Sequence, residues 1–146
     1  FKWMMKKSLR KLPFVGKASE IAGHVFVDNS SLISRKESIL QAKEELKEGV
    51  SMIVFPEGAR TKNGKLSPFK RGAYRLAIDM GLPLVPITIN GPFDVMKRNS
   101  ITLNPNKLEL IIHKPISTKK LSKEDIPHLM SKTKAIIHSA LWSKYM

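Results

Sequence analysis

"SMIVFPEGAR", residues 51–60, runs from an almost unbroken apolar stretch into a proline, a carboxylate, a glycine and a guanidinium. Such a run, with no polar alternation and a breaker at its end, reads as a strand covered on both faces. Pro56 ends the ladder because it has no N–H to donate. Upstream, Ser34 and Glu37 have capping-box spacing, Ile39, Ala42 and Leu46 recur at helical intervals, and Gly49 supplies a stop. A helix is therefore predicted over 35–48. Downstream, Ala73, Leu76, Ala77 and Met80 make an apolar stripe from near Arg71 that Gly81 and Pro83 close.

Working outward, "HVFVD" (24–28) alternates as a strand and follows a short helical turn expected around 18–22. "PLVPITI" (83–89) reads as another interior strand and "KLELIIH" (107–113) as a further one. Ser122 and Asp125 mark the start of a last helix carrying Leu129, Ile136, Ile137, Ala140 and Leu141. Strand, helix, strand, helix, strand is the order of a βαβαβ unit with parallel crossovers. The expected class is α/β, a mostly parallel central sheet flanked by helices. Ligands of such sheets sit beyond the carboxyl ends of the strands, which directs attention to the loop after Phe55. Residues 2–12 read as a basic amphipathic helix, ended by Pro13, either an ordinary core-facing helix with a solvated basic side or one whose Trp3 and methionines enter the interface of an anionic leaflet, the two not being exclusive.

With 146 residues, 42% of them hydrophobic, the chain is expected to be a single folded unit over 1–146. Twenty-six Lys and Arg against 12 Asp and Glu give a formal charge of +14, which calls for an anionic partner: nucleic acid, an anionic membrane or a phosphorylated substrate. The lack of cysteine excludes disulfides, a thiol nucleophile and cysteine metal sites. No apolar run reaches the roughly 18–20 residues that cross a bilayer.

The loop itself carries six cations, Arg60, Lys62, Lys65, Lys70, Arg71 and Arg75, between the acids Glu57 and Asp79. A guanidinium fork matches phosphate oxygens two at a time, so Arg60 leads as the anion contact, with Lys70 and Arg71 placed before a helix whose free N–H groups favour negative charge. Gly58 lets the backbone come close to a ligand. Against this stands the plainer possibility that Glu57 and Arg60 pair with each other. "GARTKNGKL" lacks P-loop spacing and has Leu66 where Ser or Thr should bind magnesium, which excludes a nucleotide triphosphatase. His24 and Asp28 read as strand residues rather than a catalytic pair. The histidines lack metal-ligand spacing, and no metal is expected.

Three ordered segments resemble the glycerolipid acyltransferase family, specifically its 1-acylglycerol-3-phosphate acyltransferases: "GHVFVDNS" (23–30), "VFPEGAR" (54–60) and "LVPITI" (84–89), with "PFKRGA" between the last two. The resemblance implies transfer of an acyl group from acyl-CoA or acyl carrier protein to the sn-2 hydroxyl of a lysophosphatidic acid, with no cofactor beyond that co-substrate. It implies a glycerol-phosphate site of Glu57, Gly58 and Arg60, with Lys70 as electrostatic helper. Val85, Pro86 and Ile87 would line the acyl or head-group pocket. Asn29 stands where the family usually has a phosphate-binding arginine and would add an uncharged hydrogen bond. The family's His-x-x-x-x-Asp block is absent: five residues beyond His24, His113, His128 and His138 stand Asn29, Thr118, Thr133 and Ser143. That histidine acts as general base toward a hydroxyl that is otherwise a poor nucleophile. The expectation is a truncated carboxy-terminal part of the domain that holds the acceptor, the catalytic pair lying upstream of Phe1. Its expected partners are lysophosphatidic acid, the acyl donor and an anionic membrane surface at the cytoplasmic face, where an amino-terminal anchor could hold the full-length protein. The alternative is a non-catalytic basic module binding anionic lipid or nucleic acid; two Trp, two Tyr and no reading motif argue against nucleic acid.

Overall fold

The computed structural model describes residues 1–28 and 30–146; Asn29 lies outside the described residues. Its contacts divide the chain into two compact units, Phe1–Phe55 and Pro56–Met146.

The first unit runs β1 (Lys2–Lys6), a 3-10 helix (Lys7–Lys11), α1 (Val15–Ile21), β2 (Val25–Val27), α2 (Leu32–Lys47) and β3 (Met52–Val54). Its strands form a parallel sheet ordered β2-β1-β3, with Met4 opposite Val25 on one side and Val54 on the other. The amphipathic helix expected over 2–12 does not form. Its first half is the central strand, and the reason is long-range. Among the described residues β2 and β3 pair only with β1, so a helix there would leave the ladder groups of both strands without partners. Trp3 accordingly stacks on Phe55, with ring centroids 5.7 Å apart.

Helix α2 begins three residues earlier than the spacing suggests, because Ser31 rather than Ser34 caps it, its side chain accepting from the Ser34 N–H. Ala42 is fully buried, as is Val25 of β2, and both belong to the core of this unit. The hydroxyl of Ser38 joins helix to strand, donating to the Ser34 carbonyl at 2.8 Å and accepting from the Asp28 N–H at 3.2 Å.

The second unit holds α3 (Gly72–Met80), β4 (Ile87–Asn90), α4 (Pro92–Val95), β5 (Glu109–Ile112) and α5 (Ile126–Ser139). The strand–helix–strand–helix–strand order is as expected, but the parallel pairing expected of the later strands is corrected: β4 pairs antiparallel with β5, Ile87 opposite Ile112 and Ile89 opposite Leu110. Two buried polar residues of β4 fix this arrangement. Thr88 donates to the Ile137 carbonyl, and Asn90 donates both to the Ala140 carbonyl at 2.9 Å and to Glu109 at 3.0 Å. The Asn90 oxygen accepts from the Trp142 N–H, and the Trp142 indole donates to the same Glu109 carboxylate. One face of β4 is thereby bonded to the end of α5.

Tyr74, Ile126 and Leu129 form the core between α3 and α5, with Phe69 and Leu84 among the residues packed against it. The predicted capping box is present, Ser122 and Asp125 bonding reciprocally at the start of the last helical segment.

Candidate functional site

The residues singled out around position 57 lie in one loop that folds on its own hydrogen bonds. At its base the Lys70 N–H donates to the Pro56 carbonyl at 2.8 Å. One residue further in, the Glu57 carboxylate accepts from the Ser67 N–H at 2.7 Å. Near the tip, Thr61 donates to the Lys65 carbonyl and Asn63 accepts from the Lys65 N–H, while Gly64 turns the chain. The loop is latched at two places by its own main chain and the Glu57 carboxylate.

Glu57 therefore does not pair with Arg60. Its charge is committed to the backbone of the loop, which needs an acceptor at that point. Arg60 is exposed, and among the described residues no ion pair or hydrogen bond engages its guanidinium. Gly58 has φ +69, and a Cβ on it would lie 2.8 Å from the Lys70 ammonium. Glycine is needed there twice over, for its backbone angle and because Lys70 folds across it. The loop thus gathers Glu57, Gly58 and Lys70 at its base and leaves Arg60 projecting. Just beyond, α3 has no side-chain cap on its first turn, so its free N–H groups add to the positive field.

Lys70 and Val85 each adjoin a residue of the shared core, Phe69 and Leu84 respectively. Val85 is exposed, Pro86 is buried with its carbonyl accepting from the His113 N–H, and Ile87 is half-buried opposite Ile112. On that face of the β4–β5 pair, Ile89, Leu110 and Ile112 are all exposed, which makes an open apolar strip.

In the first unit, Lys7, Arg10, Glu20, His24, Asp28 and Glu37 help line a cavity of about 290 Å³. Its nearest cations are already neutralised: Lys7 pairs with Asp28 at 2.8 Å, and Arg10 pairs with Glu20. This contrast makes the loop after β3 the stronger candidate for an anion site. His24 accepts from the Trp3 N–H, so it supports the sheet and forms no pair with Asp28. Among the described residues, no cluster of His, Asp and Glu could hold a metal ion. Sequence reasoning missed Ser67 and Lys7, which act on Glu57 and Asp28 from 10 and 21 residues away, beyond any local pattern.

The hydrogen bond from Lys7, followed by those from Ser30, holds the Asp28 carboxyl well below the usual carboxylate range. A depressed folded-state pKa adds stability that is present above the unfolded value and lost as the pH falls below it. Asp28→Asn is therefore expected to lower the melting temperature at pH 7, and the gap from the parent chain should close as the pH drops below about 4. A gap that persists in acid would show that the Lys7 pair is not its source.

A family model described as Acyltransferase matches residues 1–90, which include the parallel sheet and the whole latched loop. A chloroplastic 1-acyl-sn-glycerol-3-phosphate acyltransferase of Brassica napus is 37% identical over 117 residues, covering 80% of this chain and 34% of the relative. The 1-acyl-sn-glycerol-3-phosphate acyltransferase alpha of Mus musculus is 32% identical over 140 residues, covering 93% of this chain and 47% of the relative. The chain thus spans between a third and a half of these curated relatives. Among solved structures, the 1-acyl-sn-glycerophosphate acyltransferase PlsC of Thermotoga maritima superposes with a TM-score of 0.74 at 29% identity, covering 97% of this chain and 58% of that one.

Proposed function

Because the chain belongs to the acyltransferase family, we propose that it is the acceptor-holding part of an enzyme that acylates the sn-2 hydroxyl of 1-acylglycerol 3-phosphate, forming phosphatidic acid. The observation that carries this reading is the loop after β3, where Glu57 is spent on the backbone and Arg60 is left free of any carboxylate among the described residues. A phosphate monoester supplies the oxygens that such a guanidinium can take in pairs. Lys70, across Gly58, adds a second positive charge to the same loop. Asn29, from the second family-like segment, is assigned an uncharged contact. The apolar strip that includes Ile87 suits an acyl chain, with Val85 and Pro86 beside it.

In the reaction a base takes the proton of the sn-2 hydroxyl, the oxygen attacks the thioester carbonyl, an ester C–O bond forms and the C–S bond breaks. The proton ends on the departing thiol of coenzyme A or acyl carrier protein. The base is the family's histidine in its His-x-x-x-x-Asp block, and no histidine of this chain is followed by an aspartate at that spacing. This chain's contribution is to hold and orient the acceptor. No cofactor beyond the thioester is required. The setting we assign is the cytoplasmic face of an anionic membrane, with this chain peripheral and with no role in nucleic-acid binding. No helix among the described residues is long and apolar enough to cross a membrane.

The test is product formation by the full-length protein. Lysophosphatidic acid with acyl-CoA, or with acyl carrier protein as donor, should give phosphatidic acid, and lysophosphatidylcholine should be a poor acceptor. Absence of phosphatidic acid with both donors would end the proposal.

A further inference from the structure

Helix α1 is arranged inside out. At about 100° per residue, Gly16, Ser19 and Glu20 share one side, while Val15, Ala18, Ile21 and the following Ala22 share the other. The small and polar side faces in: Gly16 and Ser19 are buried. The apolar side faces out, with Ile21 78% exposed and Val15, Ala18 and Ala22 exposed as well. Backbone contact sets this orientation, since a Cβ on Gly16 would lie 2.0 Å from the Arg10 carbonyl oxygen. Only glycine lets α1 settle on the preceding 3-10 helix.

Phe14 stands at the tip of that face. Its φ of 60° and ψ of −51°, with the Val15 N–H donating to the Pro13 carbonyl at 2.6 Å, make it the centre of a positive-φ γ-turn. A phenylalanine adopts that conformation only under strain, yet its ring is 90% exposed and the neighbouring Leu12 is exposed too.

Charge identifies what fits there. The only acid before Asp28 is Glu20, and it is paired with Arg10. Lys2 donates to the Ala22 carbonyl and Lys7 is held by Asp28. Lys6, Lys11 and Lys17 remain exposed, with no acidic partner among the described residues. Lys11 precedes Leu12, and Lys17 borders the apolar side of α1. An apolar patch edged by uncommitted cations matches the headgroups and upper acyl chains of an anionic leaflet.

We propose that the outward face of α1, tipped by Phe14, is the surface by which this chain docks on an anionic bilayer leaflet. This deepens the membrane part of the reading above. It is read by vesicle binding, whereas acyl transfer is read by product formed in detergent micelles, so one can fail without the other.

The experiment is flotation of this chain with phosphatidylcholine vesicles, with and without a minor fraction of phosphatidylglycerol. Binding is expected only with phosphatidylglycerol and should weaken as salt rises. Lys11→Glu and Lys17→Glu should each cut partitioning about five-fold or more. The pair Phe14→Asp and Ile21→Asp should abolish it while leaving the lipid-free melting temperature nearly unchanged, because Phe14 is 90% and Ile21 78% exposed. Phe14→Trp should shift its emission to the blue when vesicles are added. Binding to pure phosphatidylcholine as strong as to the anionic vesicles, or anionic binding that survives the aspartate pair, would overturn the proposal. So would a lipid-free dimer that the Ile21→Asp change dissolves, since a second copy would then occupy the face.

Discussion

Arg60→Ala in the full-length protein is expected to raise KM for lysophosphatidic acid by on the order of ten-fold or more, while KM for the acyl donor stays nearly unchanged. A charge-assisted hydrogen bond contributes about 1.5–3 kcal/mol, which corresponds to roughly 10- to 100-fold in affinity. Because Arg60 is exposed, screening places the effect toward the lower end. Arg60→Lys should recover only part of the loss, since an ammonium keeps the charge but not the two-pronged geometry. Neither change should alter the melting temperature, because no bond of the loop uses the Arg60 side chain among the described residues. Steady-state kinetics with both substrates varied decides the matter. Equal rises in both KM values would remove Arg60 from head-group recognition.

Asn90→Ala should have the largest effect on stability. Asn90 is 0% exposed, and the change would strip partners from the Glu109 carboxylate, the Ala140 carbonyl and the Trp142 N–H at once. Leaving such groups unsatisfied costs about 2–4 kcal/mol, on the order of 10–20 °C in Tm for a unit of this size. The Trp142 indole, freed from its Asn90-anchored backbone, should report the change as a red-shifted emission. Leu110→Ala, on the exposed face of the neighbouring strand, serves as the contrast and should move Tm little. An Asn90→Ala melt within a degree or two of the parent would mean that the network is not the fastening it resembles.

How much of this was open to a reader of the sequence follows from how far each interaction reaches. Helices α2, α3 and α5 announce themselves through apolar spacing, and the Ser122–Asp125 box forms as its spacing implies, whereas α2 is capped by Ser31 and not by the Ser34 that its spacing suggests. Gly58 and Arg60 are found by composition and by their place after a strand. Residues 2–6 mislead because three consecutive apolar residues, Trp3, Met4 and Met5, suit a helix or a strand equally. Only the need of β2 and β3 for a common partner decides. The direction of β4 is hidden for a similar reason, since Thr88 and Asn90 answer to carbonyls 49 and 50 residues away. Glu57 is the instructive case at the site. Its spacing from Arg60 suggests an ion pair, but a backbone N–H ten residues on claims the carboxylate first.

The way the loop is latched has a consequence for how this protein could change. Both latches end on main-chain N–H groups, those of Ser67 and Lys70, so any non-proline residue could stand at either position and still close the loop. The side chains at 60, 62, 65 and 70 are thereby released from structural duty. On the function proposed above, selectivity for one head group over another would be rewritten at those positions by simple exchange, with the frame that presents them left intact.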